Sequence, residues 1–595
     1  MDRKSVIILV ACFILLMLWM PLVNRLFPPQ HVTRPAGALT AAQSNLFTAP
    51  DSSNGTNHAA PSISMPTLAA QSWIRPSAPE ELMTLENAVA RYVFTSYGGG
   101  LKLVELRRYP ESVGRAGRPP ETTNRFATLN QAAPVPALSL FGGTTLEDSA
   151  PFRLVKTATG LRAEKDLTNG LRLVKDFHLG TNYSLSVAIR IENHSSRPVD
   201  LPVRELVVGT ATPINRDDLG TALGVQWYDG VNASFINSAW FANRTLGCFP
   251  GTPRLQYDSP GASNVVWAAV HNQFFTMIAA PETNALRLLA RRIELPPPTA
   301  EERQADPKAV AQPFGFEASL VYPPTMLAPG QAIERRLDLF AGPKEYNTLA
   351  KLPKNQDLAM NFSGFTGWLS KVLLLSMNGL HRHLHLSYGL CIISITIIIK
   401  VIFWPLTQAS TRSMKRMQAL QPQMKAIQAK YKDEPQKMNR KVMELYKENK
   451  VNPLGGCLPM LIQIPVLIGF YRMLQSAIEL RGESFLWASD LSQPDTVAVV
   501  FGFPINPLPL LMGATQFWQA RMTPASPSTD PVQQKMMQYM PLIFVFMLYN
   551  FASGLALYWM VQNLLSILQM KLTKTLPASP ATPVPAQPAP AKRKK

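Results

Sequence analysis

The sequence predicts an α-helical polytopic membrane protein with six transmembrane helices and an all-β sandwich domain inserted after the first. Three observations lead there. Six apolar runs of roughly membrane-spanning length occur, one at the N-terminus and five between residues 386 and 572. Between the first and second of them lies a long polar region of short alternating stretches. The charges separating the runs put every strongly basic segment on one side. The whole-chain averages, 46% hydrophobic and 16% charged, conceal this division of a 595-residue chain that is too long for one core.

At the N-terminus, Arg3 and Lys4 precede an apolar run from Val6 to Val23. A cleaved signal has a shorter core and a small-residue exit, whereas this run leads into "NRLFPP". Residues 1–27 are therefore expected to be an uncleaved transmembrane anchor with its N-terminus in the cytoplasm. Residues 28–80, rich in Pro, Ala, Ser, Thr and Asn, read as a flexible linker. Residues 81–345 carry the β pattern. "RYVFTSYGGGLKLVELRRY" gives two strands around Gly98 to Gly100. "GLRLVKDFHLGTNYSLSVAIRIENHSSRPVDLPVREL" gives several more, broken at Gly180-Thr181-Asn182 and at Asn193 to Arg197. The region offers no nucleophile elbow, HExxH helix or phosphate loop, so a scaffolding or peptide-binding surface is expected there in place of an active site. The four cysteines, Cys12, Cys248, Cys391 and Cys457, do not make a disulfide framework.

The later apolar runs predict spans at 386–407, 457–478, 507–522, 536–550 and 554–572. Only "FAS" separates the last two, so they form a helical hairpin. The segment 409–456 holds eleven basic and four acidic residues, a net of +7. After the third span, Glu479, Arg481, Glu483, Asp490 and Asp495 give −3. With six spans both termini fall in the cytoplasm and the β domain falls outside, in the periplasm. Within the basic segment, Met417, Leu420, Met424, Ile427 and Tyr431 recur at steps of 3 and 4, and Met438, Val442 and Leu445 do so after "KDEPQ". That spacing predicts an antiparallel coiled-coil hairpin. It is either a solvated helical pair that only obeys the positive-inside rule or a basic finger that docks on RNA or a targeting factor through Lys425, Lys430 and Lys432, and its length, beyond what topology requires, favours the second. The low-complexity tail 573–595 ends in "AKRKK" and is expected to be disordered, with a basic tip suited to lipid headgroups or a ribosome. The net charge of +19 agrees with an anionic lipid surface or nucleic acid as partner.

One residue breaks the apolar pattern. Lys400 stands inside "LSYGLCIISITIIIKVIFWPL", where a central lysine costs about 2.5–3.5 kcal/mol on insertion scales. Such a charge marks a functional site or snorkels to the nearer surface. Thr396 lies on the same helical face, four residues earlier. Gln463 and Gln516 are intramembrane amides that need either a hydrated groove or hydrogen bonds between helices. Arg472, near the outer end of the third span, is expected to snorkel. The "HRHLH" run at 381–385 fits the end of an interfacial helix over 362–385, and neither a metal nor another cofactor is expected.

"TIIIKVIFWPLTQAS", "ENKVNPLGGCLPMLIQIPVLIGFYRML", "NPLPLLMG", "DPVQQKMMQYMPLIF" and "FASGLALYWMVQNLLSILQ" follow one another in order and spacing. Over about Phe362 to Leu572 the chain thereby resembles the YidC/Oxa/Alb family of membrane-protein insertases. In the β region the resemblance rests on placement and on "NGLRLVKDFHL" and "GPKEYNTL". The Gram-negative type, with its large periplasmic domain, is the form it resembles. The resemblance implies an insertase and folding chaperone of the bacterial inner membrane, with no covalent chemistry. It implies a five-helix core at 362–572, holding a positively charged hydrophilic groove open to cytoplasm and lipid. In that groove Lys400 stands where the family usually has arginine, Thr396 matches a groove threonine, and Tyr558 and Trp559 match an aromatic pair that contacts substrate. Asn563 lies one turn beyond Trp559. The implied partners are nascent membrane-protein chains, the Sec translocon, a ribosome or targeting factor, and membrane lipids, with no specific DNA. Lysine for arginine replaces a fixed fork of donors by a compact, more strongly hydrated charge. Two rival classes fit less well. A transporter or channel calls for inverted repeats with facing broken helices, and an anchored binding protein needs no spans after the first.

Overall fold

A computed structural model describes residues 76–113, 125–214, 218, 220, 222–244, 251–297, 314–362, 364–431, 434–449, 458–501, 503–522, 539 and 543–573. The expected anchor, most of the linker, the tail from 574, most of the first half of the 536–550 span, Lys432, Cys12, Cys248 and Cys457 lie outside the described residues.

From Leu82 to Pro343 the described chain is mostly antiparallel β-sheet. A nine-stranded sheet runs, in spatial order, through 233–237, 224–228, 267–271, 275–281, 332–343, 184–193, 171–179, 160–166 and 153–156. A five-stranded sheet (256–258, 287–294, 314–322, 204–211, 140–141) packs against it, and a four-stranded sheet covers 82–129. Alternation along Ser184–Asn193 buries Leu185, Val187, Ile189 and Ile191 on the inner face. The break at Gly180 to Asn182 is a turn in which Asn182 takes φ 56°. The next turn is closed by the Asn193 amide, which donates to the carbonyls of Arg197 (2.8 Å) and Leu327 (2.9 Å). Gly99 has φ 55°, and a Cβ there would lie 2.5 Å from the Phe152 ring, so the turn accepts only glycine.

The rest of the described chain is mainly helical. The longer helices are α1 (Gly364–Leu384), α2 (Tyr388–Ile402), α3 (Trp404–Ala419), α4 (Gln421–Lys430), α5 (Pro435–Glu448), α6 (Leu458–Ser476), α7 (Pro507–Met522) and α8 (Ser553–Leu572). No single described helix is long and apolar enough to cross a membrane; α1 and α2 pass that test together but bend by 119°. The run expected to span at 386–407 is two helices. Residue Phe403 breaks it ahead of Pro405, whose missing N–H suits the first turn of α3. The 15 residues of α2 reach about 22 Å, short of a ~30 Å hydrocarbon core.

In the basic segment, Met417, Leu420 and Met424 pack against Val442, Leu445 and Tyr446, with Ile427 alongside. The first arm is interrupted at Leu420, where Pro422 opens α4. Tyr431 and Met438 stay outside this cluster; Tyr431 carries Lys430 and Lys437 over its ring at 5.7 and 5.3 Å. Arg472, expected to snorkel, donates to the Thr366 hydroxyl on α1 at 2.8 Å. His381 meets the Leu386 carbonyl (2.8 Å) and stacks on Tyr388, which secures the α1–α2 bend.

Arg481 joins the β domain to the helices. Its guanidinium donates to the carbonyls of Pro110 (2.8 Å) and Glu111 (2.9 Å) and lies beside the Phe274 and Phe275 rings.

Candidate functional site

The site is built around α8. Its N-terminus is fixed by the loop after α6, where the Ser553 amide donates to Gln493 O (2.8 Å) and the Ser553 hydroxyl to Asp490 O (3.0 Å). The same loop sets α7. Asp495 accepts from the Leu508 amide at 2.6 Å, a carboxylate on a helix N-terminus, and from the Trp487 indole at 2.9 Å. With both helix starts held, the rotation of α8 about its axis is settled, and with it the direction each polar side chain takes.

Along α8, Tyr558, Gln562, Ser566 and Gln569 follow at steps of 4, 4 and 3, a stripe on one face. The structure pairs each with a neighbouring helix. On α6, Gln463 donates to the Tyr558 hydroxyl (2.7 Å) and accepts from Gln562 (2.9 Å). Tyr558 is fully buried and stacks on Phe470 with centroids 4.1 Å apart. From α2, the Lys400 ammonium donates to the Ser566 hydroxyl at 2.8 Å, and that hydroxyl donates in turn to Gln562 O at 2.8 Å. Lys400 is 6% exposed. Gln569 donates to the Thr407 hydroxyl of α3 at 2.8 Å, and Lys415 reaches the carbonyls of Met570 and Thr573. From Tyr558 to Gln569 this polar seam rises about 16 Å at 1.5 Å per residue, about half the thickness of a hydrocarbon core.

The residues singled out from sequence divide on this geometry. Lys400, Gln463 and Tyr558 belong to the seam. Thr396 is buried on the same helix as Lys400, but its hydroxyl donates back to Ile392 O at 2.7 Å. Asn563 faces α7, with its amide 3.3 Å from the Thr515 hydroxyl and 3.4 Å from Met512 O. Trp559 lies half-buried against Phe544, centroids 5.3 Å apart. Gln516 on α7 has a buried side-chain oxygen with no hydrogen-bond partner among the described residues. In the basic hairpin Lys425 and Lys430 are exposed. Three seam residues, Gln562, Ser566 and Gln569, were not singled out from sequence. The signal was available in their spacing of 4, 8 and 11 residues from Tyr558, a polar stripe along one face of the span at 554–572.

Comparison with known proteins places the chain. Residues 379–578 match the family model described as the 60Kd inner membrane protein, and residues 82–375 match the YidC periplasmic domain. A membrane protein insertase YidC of Syntrophus aciditrophicus is 30% identical over 582 residues, covering 95% of this chain and 98% of that protein. The YidC insertases of Pelobacter propionicus and Geobacter sulfurreducens are each 33% identical, over 525 and 494 residues, covering 85% and 80% of this chain and 88% and 83% of theirs. A crystal structure of an active YidC insertase with its first transmembrane domain resolved matches 84% of this chain and 94% of that one at 18% identity, TM-score 0.33. On the near-complete coverage of its relatives, the chain belongs to the YidC family of membrane protein insertases.

Proposed function

We propose that the seam on α8 is the substrate-contacting element of this insertase. A nascent chain arrives from the cytoplasmic side, its polar segment exchanges hydrogen bonds with the seam, and its apolar segment leaves sideways into lipid. The physical gain is a lower desolvation cost for polar groups moving part-way across the bilayer. The observation that carries this reading is the buried ammonium of Lys400 on the Ser566 hydroxyl. A cation retained at that depth costs stability, and it is held by a neutral, exchangeable partner. In this reading the closed seam is the resting state of the hydrophilic groove, and Gln463, Tyr558, Gln562 and Ser566 supply replaceable bonds. Thr396, Gln516, Trp559 and Asn563 flank it on α2, α7 and α8.

The wider arrangement belongs to the same proposal. Six spans place both termini in the cytoplasm and the β domain in the periplasm of a bacterial inner membrane. The units are the anchor 1–27, the linker 28–80, the β domain 81–345, the insertase core 362–572 and the tail 573–595. The basic hairpin 409–456 meets a ribosome or targeting factor through Lys425, Lys430 and Lys432, and the core works alone or beside the Sec translocon. Photocrosslinking tests the site. A photoreactive residue in place of Gln562 or Ser566 should capture a stalled nascent chain in membranes, while one at the lipid-facing, exposed Leu568 captures mostly lipid. Equal capture from Leu568 and Ser566 would remove the seam from substrate contact.

A further inference from the structure

The loop between α6 and α7 turns tightly twice, and both turns break the usual chemistry of such turns. Phe485 and Ala488 bond each other across Leu486 and Trp487, with N–O distances of 2.8 and 3.0 Å. Strands Ala498–Val500 and Phe503–Ile505 then form an antiparallel hairpin whose tip begins at Phe501. Leu486 takes φ 55° and Phe501 φ 50°. Tight hairpin turns give such left-handed positions to glycine, asparagine or aspartate, and a bulky side chain there is strained. Packing within the chain does not offset that cost, because Leu486 is 70% exposed and Phe501 is fully exposed. Both faces of the hairpin are open as well. Ala498, Val499 and Val500 are exposed in succession, and so is Phe503 opposite Val500. A hairpin that faces water packs one face or covers its edges with charge. Here no charged residue occurs from Thr496 to Ala520.

The base of the hairpin, by contrast, is polar and fixed. The Thr496 hydroxyl donates across it to Asn506 Oδ1 at 2.7 Å, the Asn506 side-chain amide donates to Tyr549 O at 2.8 Å, and the Tyr549 hydroxyl donates to Pro504 O at 2.7 Å. The Trp487 indole donates to Asp495, the carboxylate that also takes the Leu508 amide at the start of α7. Two apolar tips are thereby mounted on the first turn of α7. Continuity says what covers them. Helix α7 starts two residues after the hairpin, inside the same uncharged stretch, and its Leu510 and Leu511 are exposed too. The hairpin extends the lipid-facing surface of that helix past its end. Its edges carry unpaired backbone groups, which the hydrocarbon interior excludes and the headgroup boundary accepts. We propose that this loop is a membrane-surface anchor, in which Leu486, Val499, Val500, Phe501 and Phe503 enter the boundary of the outer leaflet by about 5–10 Å. Trp487 then lies at the headgroups, where amphipathic rings collect. The proposal rests on the topology given above, which puts the loop outside. The contact fixes the depth of α7, whose start the same loop holds.

The test uses the full chain in lipid nanodiscs, with Cys12, Cys248, Cys391 and Cys457 replaced. Leu486→Cys, Val499→Cys and Phe501→Cys each carry one nitroxide label. Relaxation by oxygen, which concentrates among acyl chains, is compared with relaxation by a water-soluble nickel chelate. The oxygen-to-nickel ratio should be severalfold above that of labelled Val231→Cys, exposed on the β domain, and close to that of labelled Leu568→Cys on α8. Phe501→Asn suits the turn, so it should unfold no earlier than the parent chain and yet move the label at 499 toward the Val231→Cys ratio. Ratios at 486 and 501 equal to that of Val231→Cys would overturn the anchor. So would spin–spin broadening at 501 that disappears on dilution with unlabelled chain, the mark of a second copy on the hairpin. Topology is read separately, from the side on which Val231→Cys reacts with an impermeant maleimide. High oxygen ratios with reaction only from the cytoplasmic side would refute the topology, and the outer-leaflet assignment with it.

Discussion

Replacing Lys400 by methionine separates a functional charge from a structural one. In the resting seam the lysine contributes one hydrogen bond, Nζ to the Ser566 hydroxyl at 2.8 Å. Removing it leaves no orphaned donor behind, because the Ser566 proton already goes to Gln562 O at 2.8 Å. Methionine is similar in length and apolar, and it needs no hydration at 6% exposure. The lost charged bond is worth about 1.5–3 kcal/mol, and the relieved desolvation of a buried ammonium is of similar size and opposite sign. Lys400→Met should therefore keep its thermal unfolding midpoint close to wild type or above it. Insertion behaves differently. An acidic residue of the substrate near Nζ gains about 1–3 kcal/mol after solvent screening at an effective dielectric near 20, a factor of about 5 to 150 in rate. The assay is co-translational insertion of one single-span substrate with either an acidic or a neutral translocated tail, into membranes containing only the variant. The acidic-tailed substrate should lose about 5- to 150-fold while the neutral one is little changed, and Lys400→Arg should restore both. If the two tails fall together, or neither falls, the charge acts in packing and the electrostatic reading is wrong.

The contrast between what the sequence disclosed and what it hid has a physical cause. Period-2 alternation in "SLSVAIRIEN" and turn chemistry at Asn182 are local properties, and the strand and turn stand where those properties put them. The 3,4 spacing of Met417, Leu420 and Met424 likewise needs only a helix and a partner, and the cluster with Val442 and Leu445 follows. Lys400 was legible because a charge in an apolar run is anomalous on any transfer scale. Its partner was not, because Ser566 is 166 residues away and the contact depends on how α8 is rotated. The start of α8 is held through Ser553 by Asp490 and Gln493 of the loop after α6, which has no periodicity to read. Thr396 illustrates the converse. Sequence puts it on the Lys400 face, and it is there, but a buried threonine on a helix satisfies its hydroxyl on its own turn, and it does so at Ile392. Arg472 finds Thr366 for the same non-local reason that Lys400 finds Ser566.

Three further outcomes follow from particular contacts. Lys425→Glu with Lys430→Glu should reduce co-sedimentation with ribosomes or targeting factor, and the wild-type association should weaken as salt rises; identical binding at all salt concentrations would return the hairpin to a topological role. Arg481→Ala removes both bonds to Pro110 O and Glu111 O, about 1.5–3 kcal/mol for a charged donor, so hydrogen exchange should rise at the end of strand Gly100–Pro110 while the inner strands stay protected. Unaltered exchange there would mean that the joint is held elsewhere. The last concerns pH. Burial pulls Lys344 from 10.5 to about 7, against the weaker opposing pull of Asp218. Between those values the unfolded chain holds a proton that the folded domain does not, so stability increases with pH across that window and is lost as pH falls toward 7. The slope is about 1.4 kcal/mol per pH unit at most for this one group. Thermal unfolding of the full chain between pH 7 and pH 10 should show that rise, and Lys344→Met should flatten it by one proton's worth. A variant with the wild-type slope would mean that Lys344 keeps its charge when folded, paired with Asp218.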